Sequence, residues 1–287
     1  MSEVEGKVCV VTGSNSGIGK ETALGLAQKH AKVVMVVRNA EKGAEAKEEI
    51  VQKSGNSSVD LMLCDLSSME SIRRFAEEFL LKYDRIDVLV NNAGAIFYKR
   101  QMTVDGFEQT LAVDYLAPVI LTHKLLPLLR KSAPSRIINV SSGLHKSGKV
   151  DFDDLQSEKK YEGMKVYSNA KLMLLMFTYE LARRLRGTGI TANAVLPGFV
   201  ATNLGKNSGS RRQAFMFKMV RPFQISAKRA AETSIYLASS REAEGTTGKC
   251  FSKLKEVTTS QTSYVQTLQK RLWEETAKTL GLTTEMQ

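Results

Sequence analysis

Residues 7–29, KVCVVTGSNSGIGKETALGLAQK, decide the fold. The apolar run at 7–12 reads as a strand, the glycine-bearing stretch at 13–19 as a tight turn, and the remainder as an amphipathic helix. Gly13, Gly17 and Gly19 omit side chains where the backbone must approach a ligand and where helix and strand must pack closely. The first amides of a helix attract anions, so a dinucleotide pyrophosphate is the natural occupant of this turn. The expected contact set is Gly13, Ser14, Asn15, Ser16, Gly17, Ile18 and Gly19. A tight turn without a ligand is the competing reading, because the spacing differs from G-x-G-x-x-G.

The same alternation continues outward from this unit. Apolar runs at 32–37, 59–64, 86–91, 136–141, 190–196 and 249–252 alternate with helical patterns beginning near 17, 41, 68, 103, 163 and 226. This pattern predicts one α/β domain over residues 1–287, a Rossmann-like, doubly wound parallel sheet with helices on both faces. A chain of 287 residues can bury the core such a domain needs, and no linker, repeat or low-complexity stretch divides it. Ligands of such sheets bind beyond the carboxyl ends of the strands, where Gly13, Asn91, Ser142 and Pro197 all fall.

One pair of residues points to chemistry. In VYSNAKLM (166–173), Tyr167 precedes Lys171 by one helical turn, so phenol and ammonium share a face. A free tyrosine titrates near ~10, and a neighbouring cation is expected to lower that value and let the phenol exchange a proton. Upstream, the strand INVSS (138–142) ends in Ser141 and Ser142, which supply a hydroxyl to orient a carbonyl. An amphipathic surface pair is the alternative reading of Tyr167 and Lys171 taken alone.

With these residues in view, the chain resembles the short-chain dehydrogenases/reductases. The motifs T-G-x-x-x-G-I-G (12–19), N-N-A-G (91–94), N-V-S-S (139–142) and Y-x-x-x-K (167–171) occur in the family's order and span nearly the whole chain. SAPSRIINVSS, ELARRLRGTGI and RLWEETAKTLGL resemble the retinol-dehydrogenase-like branch. The resemblance implies that Tyr167 is the acid–base group, that Ser142 binds the substrate oxygen, and that Lys171 tunes the tyrosine and contacts the nicotinamide ribose. It leaves Ser141 structural. It further implies that Asn92, Ala93 and Gly94 border the adenine ribose, Asp65 and Leu66 the adenine, and Pro197, Gly198, Val200 and Thr202 the nicotinamide.

Two positions refine this expectation. After KVVMVV (32–37) the chain carries Arg38 and Asn39 where an acidic residue would bind a 2′-hydroxyl, so NADP(H) is expected over NAD(H). A solvated arginine is the alternative. In AVDYLAPVI (112–120), Asp114 stands where the family places a fourth catalytic residue, an asparagine whose backbone carbonyl is thought to hold a water linked to the lysine. Pro118 has no amide to give that carbonyl, so a kinked helix and a working relay through the Asp114 backbone are expected, with a degraded site as the alternative.

Residues 202–226 read as a substrate lid, with Arg211, Arg212, Lys218 and Arg221 beside Phe215, Met216, Phe217, Met219, Val220 and Phe223. This composition suggests a lipophilic substrate and allows peripheral membrane contact through 211–223; a helix packed on the core is the competing reading. The formal charge of +11 is spread along helices without a nucleic-acid motif, so no nucleic-acid partner is expected. Cys9, Cys64 and Cys250 read as buried thiols, and no metal site is expected from them or from His30, His123 and His145; His145, three residues after Ser142, reads as an ordinary loop residue, with a place in the substrate-pocket lining as the alternative. No run reaches the ~18–20 apolar residues of a membrane span and no signal sequence precedes the first strand. The chain is therefore expected to be cytoplasmic, unless the natural protein carries an anchor outside this sequence. The expected activity is hydride transfer between NADP(H) and an apolar alcohol, aldehyde or ketone, retinoid or otherwise. The alternatives are a steroid or xenobiotic carbonyl reductase, or a cofactor-binding regulatory or scaffold protein, and a homo-oligomer is compatible with each.

Overall fold

β1 (Val8–Thr12) runs through the middle of an eight-stranded sheet in the order β3-β2-β1-β4-β5-β6-β7-β8. The structure, a computed structural model, describes residues 4–200 and 225–285. On one side of β1 lie β2 (Lys32–Val37) and β3 (Val59–Leu63). On the other lie β4 (Val88–Asn91), β5 (Ser135–Val140), β6 (Ile190–Val195), β7 (Cys250–Ser252) and β8 (Lys255–Glu256). All neighbours are parallel except β7 and β8. The chain moves outward from β1 to β3 and then returns to β4, so the strand order reverses between β1 and β4. A doubly wound sheet opens its ligand crevice at such a point.

Side-chain alternation divides the core into two layers. Val8 and Val10 of β1 point into one cluster, with Phe75, Leu125 and Met173, while Cys9 and Val11 point into the other, with Leu26, Ile50 and Leu237. The first layer belongs to α3 (Met69–Lys82), α4 (Gln109–Lys131), α5 (Gly163–Arg184) and α7 (Gln266–Leu280). The second belongs to α1 (Gly17–Ala27), α2 (Ala40–Ser54) and α6 (Ala227–Ser239). The three cysteines are free and buried, and burial drives the Cys64 and Cys250 thiols up to about 12.

Several boundaries differ from those expected. The helix predicted near 103 starts at Gln109, because Gly106 takes a left-handed conformation (φ 78°) in a turn that pairs Thr103 with Phe107. The Glu108 carboxylate then caps the helix, accepting from the amides of Thr110 at 2.8 Å and Leu111 at 2.7 Å. The short antiparallel strand β8 has no counterpart in the apolar pattern. It comes after a two-residue turn in which Lys253 and Leu254 both have positive φ, as a tight hairpin demands. Helix α7 docks on α5 through Trp273, which stacks on Phe177 at 5.5 Å while the Arg184 guanidinium covers its ring at 4.5 Å.

α4 corrects a further expectation. By length and composition it is apolar enough to cross a membrane, with mean hydropathy 1.3, yet 78% of its most apolar window is buried inside the protein. It is a core helix, wrapped on the sheet and against α3 and α5. The turn Ala112–Leu116 is π-helical, the Ala117 amide bonding back to the Ala112 carbonyl. Pro118 stands two residues beyond it, so the distortion expected from its missing amide takes the form of a widened turn.

Candidate active site

The turn after β1 and the turn after β4 are pinned together at the point where strand order reverses. Thr12 Oγ1 accepts the amides of Asn92 at 2.9 Å and Ala93 at 3.0 Å, and Asn92 Nδ2 donates to the Thr12 carbonyl at 2.8 Å. A Cβ on Gly19 would lie 2.4 Å from both the Gly13 carbonyl oxygen and Asn92 Nδ2, so the fold of this turn requires glycine there. Asn91 points into the core, donating to Asn139 across the sheet at 2.8 Å, while Asn139 donates to Thr178 of α5. It ties sheet to helix, and Asn92, Ala93 and Gly94 remain at the crevice.

The glycine turn fits an anionic cofactor. Ser16, the N-cap of α1, makes no side-chain bond to the amides of the first turn, and that turn holds no acidic residue. Ser14 Oγ is buried without a hydrogen-bond partner. Unmet amides at a helix start and an unmet hydroxyl beside them suit a pyrophosphate. Asn15, Gly17 and Ile18 complete the turn, Gly17 with φ 57°. At the end of β2 the Arg38 side chain is exposed, whereas Asn39 caps α2, its Oδ1 accepting the Lys42 amide at 2.8 Å. Asn39 thus has a local structural task in addition to the cofactor contact expected of it. Asp65 holds the turn after β3 by accepting from Ser67 N and Oγ, and Leu66 packs on the core. Pro197 and Gly198 (φ 89°) come after β6, and Val200 bridges to Ile225. Thr202 and residues 202–224 of the expected lid lie outside the described residues.

The residues expected to handle the proton meet between β5, α4 and α5. Ser142 stands just beyond β5 and caps a short 3-10 turn, its Oγ accepting the Leu144 amide at 3.2 Å. Tyr167, buried on α5, interacts with that hydroxyl. Lys171 Nζ lies 5.5 Å from the centre of the Tyr167 ring and donates to the Val140 carbonyl at 3.1 Å. Ser141 faces the other way and donates to the Lys171 carbonyl at 2.9 Å, a structural contact. Asp114, fully buried, places Oδ2 3.3 Å from Lys171 Nζ and accepts the Ala95 amide on Oδ1 at 2.8 Å. The structure therefore brings Asp114 to the site by its side chain, whereas the sequence points to its backbone carbonyl.

Burial is the first influence on the electrostatics of this pocket. Burial raises the pKa of Tyr167, and Asp114 adds to the rise; Lys171 and the Ser142 hydrogen bond pull the other way without overcoming it. Lys171 acts in the expected direction, and burial outweighs it. Burial, the largest influence on Lys171, favours its neutral form, but the attraction of Asp114 and Tyr167 reverses this and the ammonium is retained. Burial raises Asp114 as well, against Lys171 and the Ala95 amide.

His145, expected as an ordinary loop residue rather than a pocket one, packs its ring on the turn that carries Ser142. It is fully buried three residues after Ser142, with Nδ1 2.7 Å from the Ser142 carbonyl oxygen. Burial holds its pKa below the ordinary imidazole value. Its closeness in sequence to Ser142 is the one available signal, and that spacing alone describes any loop.

A model of the family described as short chain dehydrogenase matches residues 7–213. Retinol dehydrogenase 13 of Mus musculus is 41% identical over 284 residues, which cover 97% of this chain and 85% of that protein. Among solved structures, an uncharacterised protein of Mycobacterium paratuberculosis superposes with a TM-score of 0.81 at 29% identity, covering 100% of this chain and 97% of that one. The NADP active-site complex of RhlG from Pseudomonas aeruginosa superposes with a TM-score of 0.70 at 26% identity, covering 88% and 97%. With the doubly wound sheet, the glycine turn and the tyrosine–lysine pair in place, the chain belongs to the retinol-dehydrogenase-like short-chain dehydrogenases, nicotinamide-dependent oxidoreductases acting on CH–OH groups.

Proposed function

We propose that the chain is an NADP(H)-dependent enzyme that interconverts an apolar alcohol with its aldehyde or ketone. The observation that carries this reading is the convergence of the Tyr167 phenol, the Ser142 hydroxyl and the Lys171 ammonium beside the glycine turn. When bound, the nicotinamide supplies a hydride to the carbonyl carbon, or accepts one from the alcohol carbon. Ser142 and Tyr167 donate hydrogen bonds to the substrate oxygen and polarise it. In reduction, the oxygen takes the Tyr167 proton as its double bond opens, and solvent returns a proton to the phenolate. Lys171 keeps its charge behind the ring and stabilises that phenolate.

Arg38 supports NADP(H) over NAD(H), since β2 ends without a carboxylate and an exposed guanidinium suits a 2′-phosphate. The NADP complex of RhlG and the NADPH complex of actinorhodin polyketide ketoreductase, 25% identical, are in keeping with this preference. A lipophilic substrate is suggested by the retinol dehydrogenases 12 and 13, about 40% identical over nearly the full chain.

The test is NADPH and NADH oxidation by wild type and Tyr167→Phe with retinal, long-chain aldehydes, steroid ketones and aromatic ketones. NADPH-preferring turnover that vanishes in Tyr167→Phe, with cofactor binding intact, supports the reading. Undiminished turnover in Tyr167→Phe rejects the mechanism. Tight NADPH binding without turnover of any substrate favours a cofactor-binding regulatory protein, a reading for which the departure at Asp114 is the one specific observation.

A further inference from the structure

Asp114 carries more charge than its local hydrogen bonding requires. The Ala95 amide needs an acceptor, and a neutral amide or hydroxyl would serve as well as a carboxylate. A buried carboxylate is costly unless its charge is compensated, and here the compensating charge is Lys171, 3.3 Å away and itself buried. Oδ2 has no aligned hydrogen bond, so this contact acts through charge. The approach is also built into the backbone. A Cβ on Gly94 would stand 3.0 Å from Lys171 Nζ and 3.1 Å from Asp114 Oδ2, so the glycine leaves room for the pair. The π-helical turn that holds Asp114 directs its side chain at this spot.

We propose that the Asp114 carboxylate, 3.3 Å from Lys171 Nζ, is a positioning residue that fixes the Lys171 ammonium behind Tyr167 and sets how strongly that cation acts on the phenol. The proposal rests on the reading of Tyr167 as the acid–base group. The groups that bear on this unit come from several elements: Lys171 and Tyr167 from α5, Ser142 from the turn after β5, the Ala95 amide from the turn after β4, and the Glu108 carboxylate at the start of α4. Glu108 raises Asp114 slightly and is itself occupied in capping the Thr110 and Leu111 amides. Asp114 is thus the anion that opposes Lys171 at the phenol.

Without the Asp114 charge, Lys171 is still held by the Val140 carbonyl and keeps its charge through the attraction of the phenolate, so it acts on Tyr167 without an opposing anion and the phenol ionises at lower pH. Reduction needs the protonated phenol, so the alkaline limb of its kcat/KM moves to lower pH. Oxidation needs the phenolate, so its acid limb moves down by the same amount. A residue that merely held α4 in place would lower activity without moving either limb.

The experiment compares wild type, Asp114→Asn and Asp114→Ser, the last small enough for the same space and still able to accept the Ala95 amide. The pH profile of kcat/KM is measured with NADPH and retinal, or with whichever carbonyl compound is turned over best. In parallel, NMR of isotope-labelled tyrosine, assigned with Tyr167→Phe, tracks Tyr167 ionisation without turnover. The expected result is a downward displacement of about one pH unit in both readouts, about tenfold in proton affinity. Unchanged limbs and an unchanged Tyr167 titration in whichever variant folds overturn the proposal, whatever happens to turnover. Failure of the functional reading shows separately, as activity retained in Tyr167→Phe.

Discussion

His145 Nδ1 lies 2.7 Å from the carbonyl oxygen of Ser142, while Nε2 of the same ring accepts the Ser260 amide at 3.2 Å. An amide can only donate, so Nε2 is the bare nitrogen and Nδ1 carries the proton. The neutral ring therefore straps the turn that presents Ser142 to a segment 115 residues further along the chain. Replacement by alanine removes both ring contacts: the half-buried Ser260 amide loses its acceptor, and the Ser142 carbonyl keeps only the backbone amide of residue 145. His145→Ala is expected to lose about tenfold or more in kcat with cofactor affinity preserved, measured by steady-state kinetics beside NADPH binding.

The same strap carries a pH dependence. Burial depresses the folded-state pKa of His145 below the usual value near ~6.5, so the unfolded chain binds the proton more readily. Its contribution is complete above the unfolded value and is lost as pH falls towards the folded value. The difference in melting temperature between wild type and His145→Asn is expected to shrink on acidification from about pH 7.5 to about pH 5. A constant difference would show that His145 does not titrate in this range.

Two glycines separate folding from chemistry. In Gly19→Ala the new Cβ meets the Gly13 carbonyl at 2.4 Å, a backbone atom that cannot move alone, so the turn must open. We expect a loss of about 1–3 kcal/mol in stability and loss of cofactor binding. In Gly94→Ala the Cβ meets the Lys171 tip at 3.0 Å, and a flexible side chain can yield. Stability should change little while kcat falls by about tenfold, because Lys171 shifts from behind Tyr167. Chemical denaturation and kinetics on both variants check the contrast.

Arg38 governs the cofactor preference in the proposed function. Reversal of its charge in Arg38→Glu places a carboxylate where a 2′-phosphate would sit. The KM for NADPH is expected to rise by about tenfold or more, with a much smaller change for NADH. Equal changes for both would remove Arg38 from the assignment.

Trp273 tests the docking of α7. Its ring is sandwiched between Phe177 and the Arg184 guanidinium, and its Nε1 donates to the Thr284 carbonyl at 3.0 Å. Trp273→Ala should cost about 3–5 kcal/mol in unfolding free energy, with activity per folded molecule retained.

The sheet, its helices on both faces, the glycine turn and the pairing of Tyr167 with Lys171 are all legible in the order of residues. Each is local: a strand shows as an apolar run, a helix as a periodic stripe, and two residues one turn apart share a face whatever surrounds them. Other features depend on which distant residues meet and how much water they lose, and these emerge only when the chain is folded. Asp114 acts through its side chain because a π-helical turn aims it across at Lys171, a partner on another helix. His145 serves the site because its ring reaches Ser260 far along the chain. The pKa of Tyr167 rises where its sequence neighbour alone argues for a fall, since burial acts on the phenol more strongly than one cation can offset.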